Sequence, residues 1–223
     1  MPRNVHVSGP QDGLREALEE RLQRAGATIV GEAGEADVTI QIDGNEDCDI
    51  SIVPPGSIPS GSDIEIELSD VIIPNGGRNW GNGIMIDWVE QIMSGEKPLP
   101  ESANRFWVNV RDVADAISTI CLSGEENTPT GNYRMCGRRS WRSEDVTDEI
   151  RVLWQRYNNA VKHSHTIESL SEVPNPVRGI YSERSERPDL DALHEALIQS
   201  GGEGWHPLVP MRVSLMEMIA DAN

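Results

Sequence analysis

The sequence predicts an α/β protein: a doubly wound, mostly parallel sheet with a smaller C-terminal lobe. Three observations predict it. An alternating, β-branched run at 4–8 leads through a turn containing Gly9 into an amphipathic helix at 12–26. Further short β-branched runs fill the chain up to residue 73. Beyond about residue 80, longer helical periodicities alternate with short strands. Strand and helix periods that alternate along one chain place helices against a parallel sheet. With 223 residues the chain can bury a substantial core, and we read 1–223 as one compact unit, with an N-terminal part at 1–80 and the remaining elements at 81–223.

NVHVS (4–8) is the first strand. DGLREALEERLQRAG (12–26) sets Leu14, Leu18, Leu22 and Ala25 on one helical face, and Gly26 ends it as a C-cap. ATIVGE (27–32), DVTIQI (37–42), DISIV (49–53), IEIEL (64–68) and VII (71–73) read as strands, the fourth in the chain stopped by Pro54 and Pro55. A parallel crossover ordinarily takes about a dozen residues or more. Between Thr39 and Arg78 there is no room for the usual helices. Either hairpins form there or loops such as PPGSIPSGSD (54–63) replace the helices, with Ser57, Ser60 and Ser62 forming turns. Shortened crossovers of this kind are expected to uncover an apolar sheet face, which self-association or a partner then covers.

GNGIMIDWVEQIMSG (81–95) is a helix with Ile84, Trp88, Ile92 and Met85 inward. RFWVNV (105–110) is a strand leading to the helix RDVADAISTICLSG (111–124), with Val113, Ala116, Ile117 and Ile120 inward. NYRMCG (132–137) is a strand and turn. SEDVTDEIRVLWQRYNNAVK (143–162) is a helix with Ser143 as N-cap and Val146, Ile150, Leu153 and Tyr157 on its apolar side. DLDALHEALIQSGG (189–202) and MRVSLMEMIADAN (211–223) are the closing helices.

The net charge of −18 argues against a nucleic-acid or anionic-membrane partner, since both reward clustered Lys and Arg. The acidity is dispersed and lysine is limited to Lys97 and Lys162, a composition that fits adaptation to high salt. Cys48, Cys121 and Cys136 form neither a disulfide framework nor a zinc pattern. His163 and His165 flank Ser164 without an apparent third ligand, so no metal site is expected. No signal peptide or membrane span is visible, and a soluble cytoplasmic protein is expected.

The turn after the first strand, SGPQDGLR (8–15), stands where a dinucleotide-binding loop would stand. Only Gly9 falls in place. Asp12 and Arg15 occupy the positions expected of the second and third glycines, and Asp12 would set a negative charge against a diphosphate. The fold is therefore a reduced Rossmann-like one with a degenerate cofactor loop.

From Val71 onward the chain resembles the extended short-chain dehydrogenases/reductases that epimerise or dehydrate nucleotide sugars. VIIPNGGRNWGNG (71–83) resembles that family's strand and Arg/Asn/aromatic/Gly-Pro-Gly loop, through Arg78, Asn79, Trp80 and Gly81. IDWVEQIMSGEKPLP (86–100) resembles its next helix, and FWVNVRDVADAI (106–117) its Val-His-Val-x-Asp-Val-Ala-x-Ala segment. GNYRMCG (131–137) resembles its Gly-x-x-Tyr-Asn-Ile-Gly turn, and RPDLDALHEALIQSGGEGWHPLVPMRVSLMEMI (187–219) its last segment, through Gly204, Trp205 and Pro207. The family's catalytic Tyr and the Lys four residues after it precede the segment matching Val71. This chain has no tyrosine before Tyr133 and no lysine before Lys97, and Tyr157 and Lys162 lie on a later helix.

The resemblance places Arg78, Arg105, Arg138, Arg139 and Arg187 near a substrate diphosphate. Asn79, Trp80 and Trp141 lie in loops that line the sugar-nucleotide cleft in that family. The function expected is a noncatalytic, epimerase-like binding or interaction subunit with no cofactor, forming a homo-oligomer or pairing with an active homologue. Two alternatives stand beside it: an active epimerase or dehydratase using NAD or NADP at an altered site, and a sugar-nucleotide sensor.

Overall fold

The computed structural model describes residues 3–44, 46–99, 101–164, 166 and 188–223. The chain opens with β1 (Asn4–Ser8) and α1 (Gly13–Arg24). Leu14, Leu18 and Leu22 bury one face of α1, whereas Ala25 lies past its end and is exposed. Gly26, at φ 93°, closes a Schellman turn in which Gly26 N donates to Gln23 O and Ala27 N to Leu22 O.

β2 (Thr28–Ile29), β3 (Val38–Ile42), β4 (Ile50–Val53) and β5 (Ile64–Leu68) follow. Together with β8 (Gly131–Met135) they build a sheet in the order β2-β1-β3-β4-β5-β8. Every neighbouring pair is parallel, so loops rather than hairpins replace the missing helices. Short strands make this feasible. A return past a strand of 4 or 5 residues spans only ~13–17 Å. The loop 43–49 can reach ~23–25 Å when extended.

The sheet has two unlike faces. On one, Val5, Val7, Ile40, Ile52, Ile66 and Met135 pack in a single core with α1, α3 (Val110–Cys121) and α5 (Asp191–Gln199). The other face carries Ser8, Gln41, Ser51, Glu65 and Asn132 in continuous register. Glu67 and Arg134 form an adjacent pair on the same face at 3.5 Å. The apolar face expected to be left open is therefore covered, and the face without a hydrophobic cluster among the described residues is polar.

β6 (Val71–Ile72) pairs in parallel with β7 (Val108–Asn109) in a separate ladder. The predicted strand at 105–110 is thus reduced to two residues, because α3 already begins at Val110. This ladder carries a second core, the smaller helical lobe. In it Trp88, Ile92, Val146, Ile150, Leu215 and Ile219 join α2 (Asn82–Met93), α4 (Ser143–Val161) and α6 (Met211–Asp221). Ile84 is only half-buried on α2, and Val89 takes its inward place. Ser143 does not cap α4. It is the first helical residue, and its hydroxyl bonds the backbone N and O of Glu101.

Candidate functional site

Two places carry the residues that the sequence singles out. The first is the loop between β1 and α1. The chain leaves β1 towards β2 on one side and returns to β3 on the other, so this loop sits at the switch point where α/β sheets take ligands. Gly9 is held here at φ 114°, and a Cβ on it would lie 2.2 Å from the carbonyl oxygen of Ile42 at the end of β3. No other residue fits there.

Asp12 is the N-cap of α1. Its Oδ1 accepts from the backbone N–H groups of Leu14 and Arg15, both at 3.1 Å. Its Oδ2 accepts from the indole N–H of Trp80 at 3.3 Å. Exposed N–H groups at a helix N-terminus are what receive a pyrophosphate in dinucleotide sites. Here the protein's own carboxylate takes that position. Arg15 is also used internally, bonding Gly9 O at 3.0 Å and Glu19 at 2.7 Å.

Trp80 covers this corner. It is buried, although its φ of 59° is a left-handed conformation that costs an L-residue about 1–2 kcal/mol. Burial, the Asp12 bond and a 2.9 Å bond from Val71 N to Trp80 O hold it there. Gly13 is pressed against the same segment, with a virtual Cβ 2.5 Å from Ile73 Cγ2. These residues do not fit a dinucleotide. The phosphate position is filled by an anion, and an indole closes over it.

The second place is a cleft of about 460 Å³ between the loop 137–141, the loop 206–208 and the start of α6. Gly137 leaves β8 so close to the 106–107 backbone that a Cβ would sit 2.2 Å from Trp107 O, and its N–H bonds Phe106 O at 2.7 Å. Four residues on, Trp141 and Arg105 exchange backbone bonds in an antiparallel bridge. Stapled at both ends, the loop presents Arg138 and Arg139. The Arg139 guanidinium lies over the Trp141 ring at 4.2 Å.

The facing loop is fixed just as firmly. The Trp205 indole donates to Cys136 O at 2.9 Å, and its backbone N–H to His194 Nδ1 at 3.0 Å. Gly204 has no room for a side chain, since a Cβ would lie 2.3 Å from the His194 ring. Asp112 clamps the far end by accepting from Leu208 N and Val209 N. Burial pushes its carboxyl up, and these two bonds oppose that shift. Between the anchors, His206 Nδ1 lies 2.9 Å from Arg138 Nη1. A guanidinium can only donate, so in this contact Nδ1 is the acceptor.

The predicted contact residues thus separate. Arg138, Arg139 and Trp141 converge on the cleft. Arg105 lies behind it, over Trp107 and bound to Glu101 and Asp70. Arg78 pairs with Asp87, Asn79 is exposed on the preceding turn, and Trp80 belongs to the first corner. Arg187 and His165 lie outside the described residues.

Tyr133 hydroxyl donates to Thr130 O, and burial pushes its phenol up. Tyr157 stacks on Trp154. Neither has a lysine partner of the kind the family's chemistry needs. Among the described residues no cluster of His, Cys, Asp or Glu could hold a metal ion. No described helix is long and apolar enough to cross a membrane. His206, Asn109 and Ser214, which also line the cleft, were not singled out from the sequence; the only signal was the place of His206 between Trp205 and Pro207.

No protein-family model and no curated protein matches the chain. Solved structures do. RMD from Pseudomonas aeruginosa, in complex with NADPH, matches with a TM-score of 0.66 at 13% identity, over 100% of this chain and 98% of that one. The Bordetella bronchiseptica enzyme WbmF, in complex with NAD+ and UDP, gives 0.60 at 12%, over 98% and 91%. WbmH from the same organism, in complex with NAD+, gives 0.60 at 13%, over 99% and 98%. At such identities the likeness shows the fold alone: the chain shares its α/β, mostly parallel-sheet architecture with these solved structures.

Proposed function

We propose that the chain is a noncatalytic, epimerase-like protein that acts by binding. One observation carries this reading: the Asp12 carboxylate satisfies the N-terminus of α1 and is itself held by the Trp80 indole. A dinucleotide would have to displace a buried tryptophan and then meet a carboxylate with its pyrophosphate. The sequence adds that no Tyr–Lys pair stands where the family's acid/base would act. The solved relatives hold NADPH or NAD+, so the same fold without that loop chemistry is one stripped of its hydride carrier.

In this reading the cleft at Arg138, Arg139 and Trp141 is where the protein meets its ligand, and a sugar-nucleotide sensor is the specific form that the cleft favours. A UDP-bound relative makes nucleotide sugars the first ligands to try. Assembly with a second copy or with an active homologue remains part of the proposal. The second face of the sheet is polar, so an apolar sheet face is not what would drive such assembly. Incubating the purified protein with NAD+ or NADP+ and nucleotide sugars tests the reading: no reduced cofactor and no epimer is expected, and turnover of either overturns it. Light scattering across a concentration series tests the assembly separately.

A further inference from the structure

We propose that the edge strand β8 is an interface at which a second copy of this chain pairs antiparallel, joining two six-stranded sheets into one continuous sheet. This rests on the reading that assembly is part of the protein's role, and commits it to one surface and one partner. The first observation is that β8 is an open edge. No described strand lies beyond it, and Asn132 and Arg134 are exposed. Gly131 N donates to Asp63 O and Ser69 N to Met135 O, which sets the phase of the β5–β8 ladder. Alternate residues of a parallel strand turn their backbone groups to the same neighbour. Gly131, Tyr133 and Met135 therefore bond β5, and the N–H and C=O groups of Asn132 and Arg134 point outward with no partner among the described residues. Natural sheets keep exposed edges short or bulged, or guard them with Pro or Lys. The opposite edge, β2, has two residues. β8 has five, in unbroken register with β5 and without Pro or Lys, and its one charge, Arg134, is paired with Glu67 of its own sheet at 3.5 Å.

The second observation is that this strand is complementary to itself. A two-fold axis has to set outward residues against outward residues. Centred on Arg134, it would oppose two guanidiniums, which is unfavourable. Centred on Asn132, it would set Arg134 against Thr130, whose carbonyl already accepts from the Tyr133 hydroxyl. Centred on Tyr133, it pairs Asn132 with the partner's Arg134 and Arg134 with the partner's Asn132, giving four backbone bonds with no like charges opposed. On the polar face the row then runs from Glu65 and Asn132 to the partner's Arg134 and the partner's Glu67. On the other face Tyr133 meets the partner's Tyr133 at a close, non-hydrogen-bonded site, where aromatic pairs are favourable.

The third observation is one of charge. Glu125 and Glu126 are exposed on the 3-10 turn before β8, and Arg138 and Arg139 are exposed just after it; none of the four has an ion pair among the described residues. Antiparallel pairing lays the end of one β8 beside the start of the other, and so brings each basic end towards the partner's acidic end. That match favours a second copy over an arbitrary extended segment. At longer range the net charge of −18 on each copy opposes the approach, and salt screens that repulsion. The seam is short beside standard interfaces of ~1,200–2,000 Å², so the dimer is reversible rather than obligate.

Sedimentation velocity of the full chain at ~1 M NaCl, where charges are screened beyond ~3 Å, tests this. We expect a monomer–dimer equilibrium at ~100 μM protein that shifts on dilution. R134P removes an outward N–H that the β5–β8 ladder does not use and, by symmetry, two of the four new bonds. It should weaken association at least ~10-fold, while R134A stays within ~3-fold of the parent. Since a proline can also disturb the strand itself, cross-linking supplies a second readout. In a C48S background, which leaves only the buried Cys121 and Cys136, N132C mixed with R134C should form a disulfide-linked dimer on mild oxidation, because opposed Cα atoms of such a pair lie ~5.5 Å apart. Neither variant alone should do so. The proposal is overturned if the parent is monomeric at ~100 μM, if folded R134P associates as the parent does, or if the mixture cross-links no better than either variant alone. A dimer that persists in folded R134P would place assembly at another surface. All these results leave the noncatalytic reading standing, which falls only on turnover of NAD+ or NADP+.

Discussion

At Asp12 one carboxylate meets three donors: two backbone N–H groups of α1 and the indole of a residue 68 positions away. Its local half was readable, since Asp at a helix start is a strong N-cap. The distant half was not, because nothing in the sequence ties Trp80 to residue 12. Asp12→Ala removes the cap and leaves the buried indole unpaired, and we expect a loss of about 1–2 kcal/mol in urea unfolding, with Asp12→Asn losing less. Asp112 gives a pH test. Burial raises its carboxyl above the unfolded value, so the folded chain holds that proton more tightly. Its contribution to stability is full below the ordinary carboxylate range and is lost as pH rises through the raised value. Stability of Asp112→Asn relative to the parent should therefore climb across that window and level off above it; a flat difference would contradict the assignment. The cysteines give a third test. Burial pushes Cys121 and Cys136 up to about 12, while Cys48 is partly exposed. Iodoacetamide followed by mass spectrometry should mark Cys48 alone in the native protein and all three thiols in urea.

Among the elements, type was more legible than partnership. Leu14, Leu18 and Leu22, the Gly26 turn and the inward set of α3 follow from periodicity and end signals. The direction of β4 and β5 did not, because an alternating run pairs equally well either way until the whole sheet exists. IEIEL did carry a clue that one sheet face is polar: Ile64, Ile66 and Leu68 are buried, while Glu65 and Glu67 turn to the other side. Glu65 there holds the crossover loop, accepting from the N–H and hydroxyl of Ser60. Ile66→Ala should cost about 2–5 kcal/mol through the cavity it leaves, whereas Glu67→Ala on the opposite face should stay within about 0.5 kcal/mol. Equal losses in denaturant unfolding would mean that both faces are packed.

Over the whole molecule, a closed corner holds Asp12 and Trp80, and an open cleft holds Arg138, Arg139 and Trp141. Spacing could group the arginines by segment, but it could not show which were already neutralised by Asp70, Asp87 or Glu101. The net charge of −18 acts at this scale too. Added salt screens the self-repulsion of the folded chain, so the melting temperature should rise with sodium chloride, and a fall would contradict the screening argument. The central claim is that the protein has closed its own cofactor corner. Calorimetry of NAD+ and NADP+ binding to cofactor-stripped, folded protein, at low and at multimolar salt, tests it most directly. We predict no binding at either salt, and micromolar affinity for either dinucleotide would show that Asp12 and Trp80 yield to it.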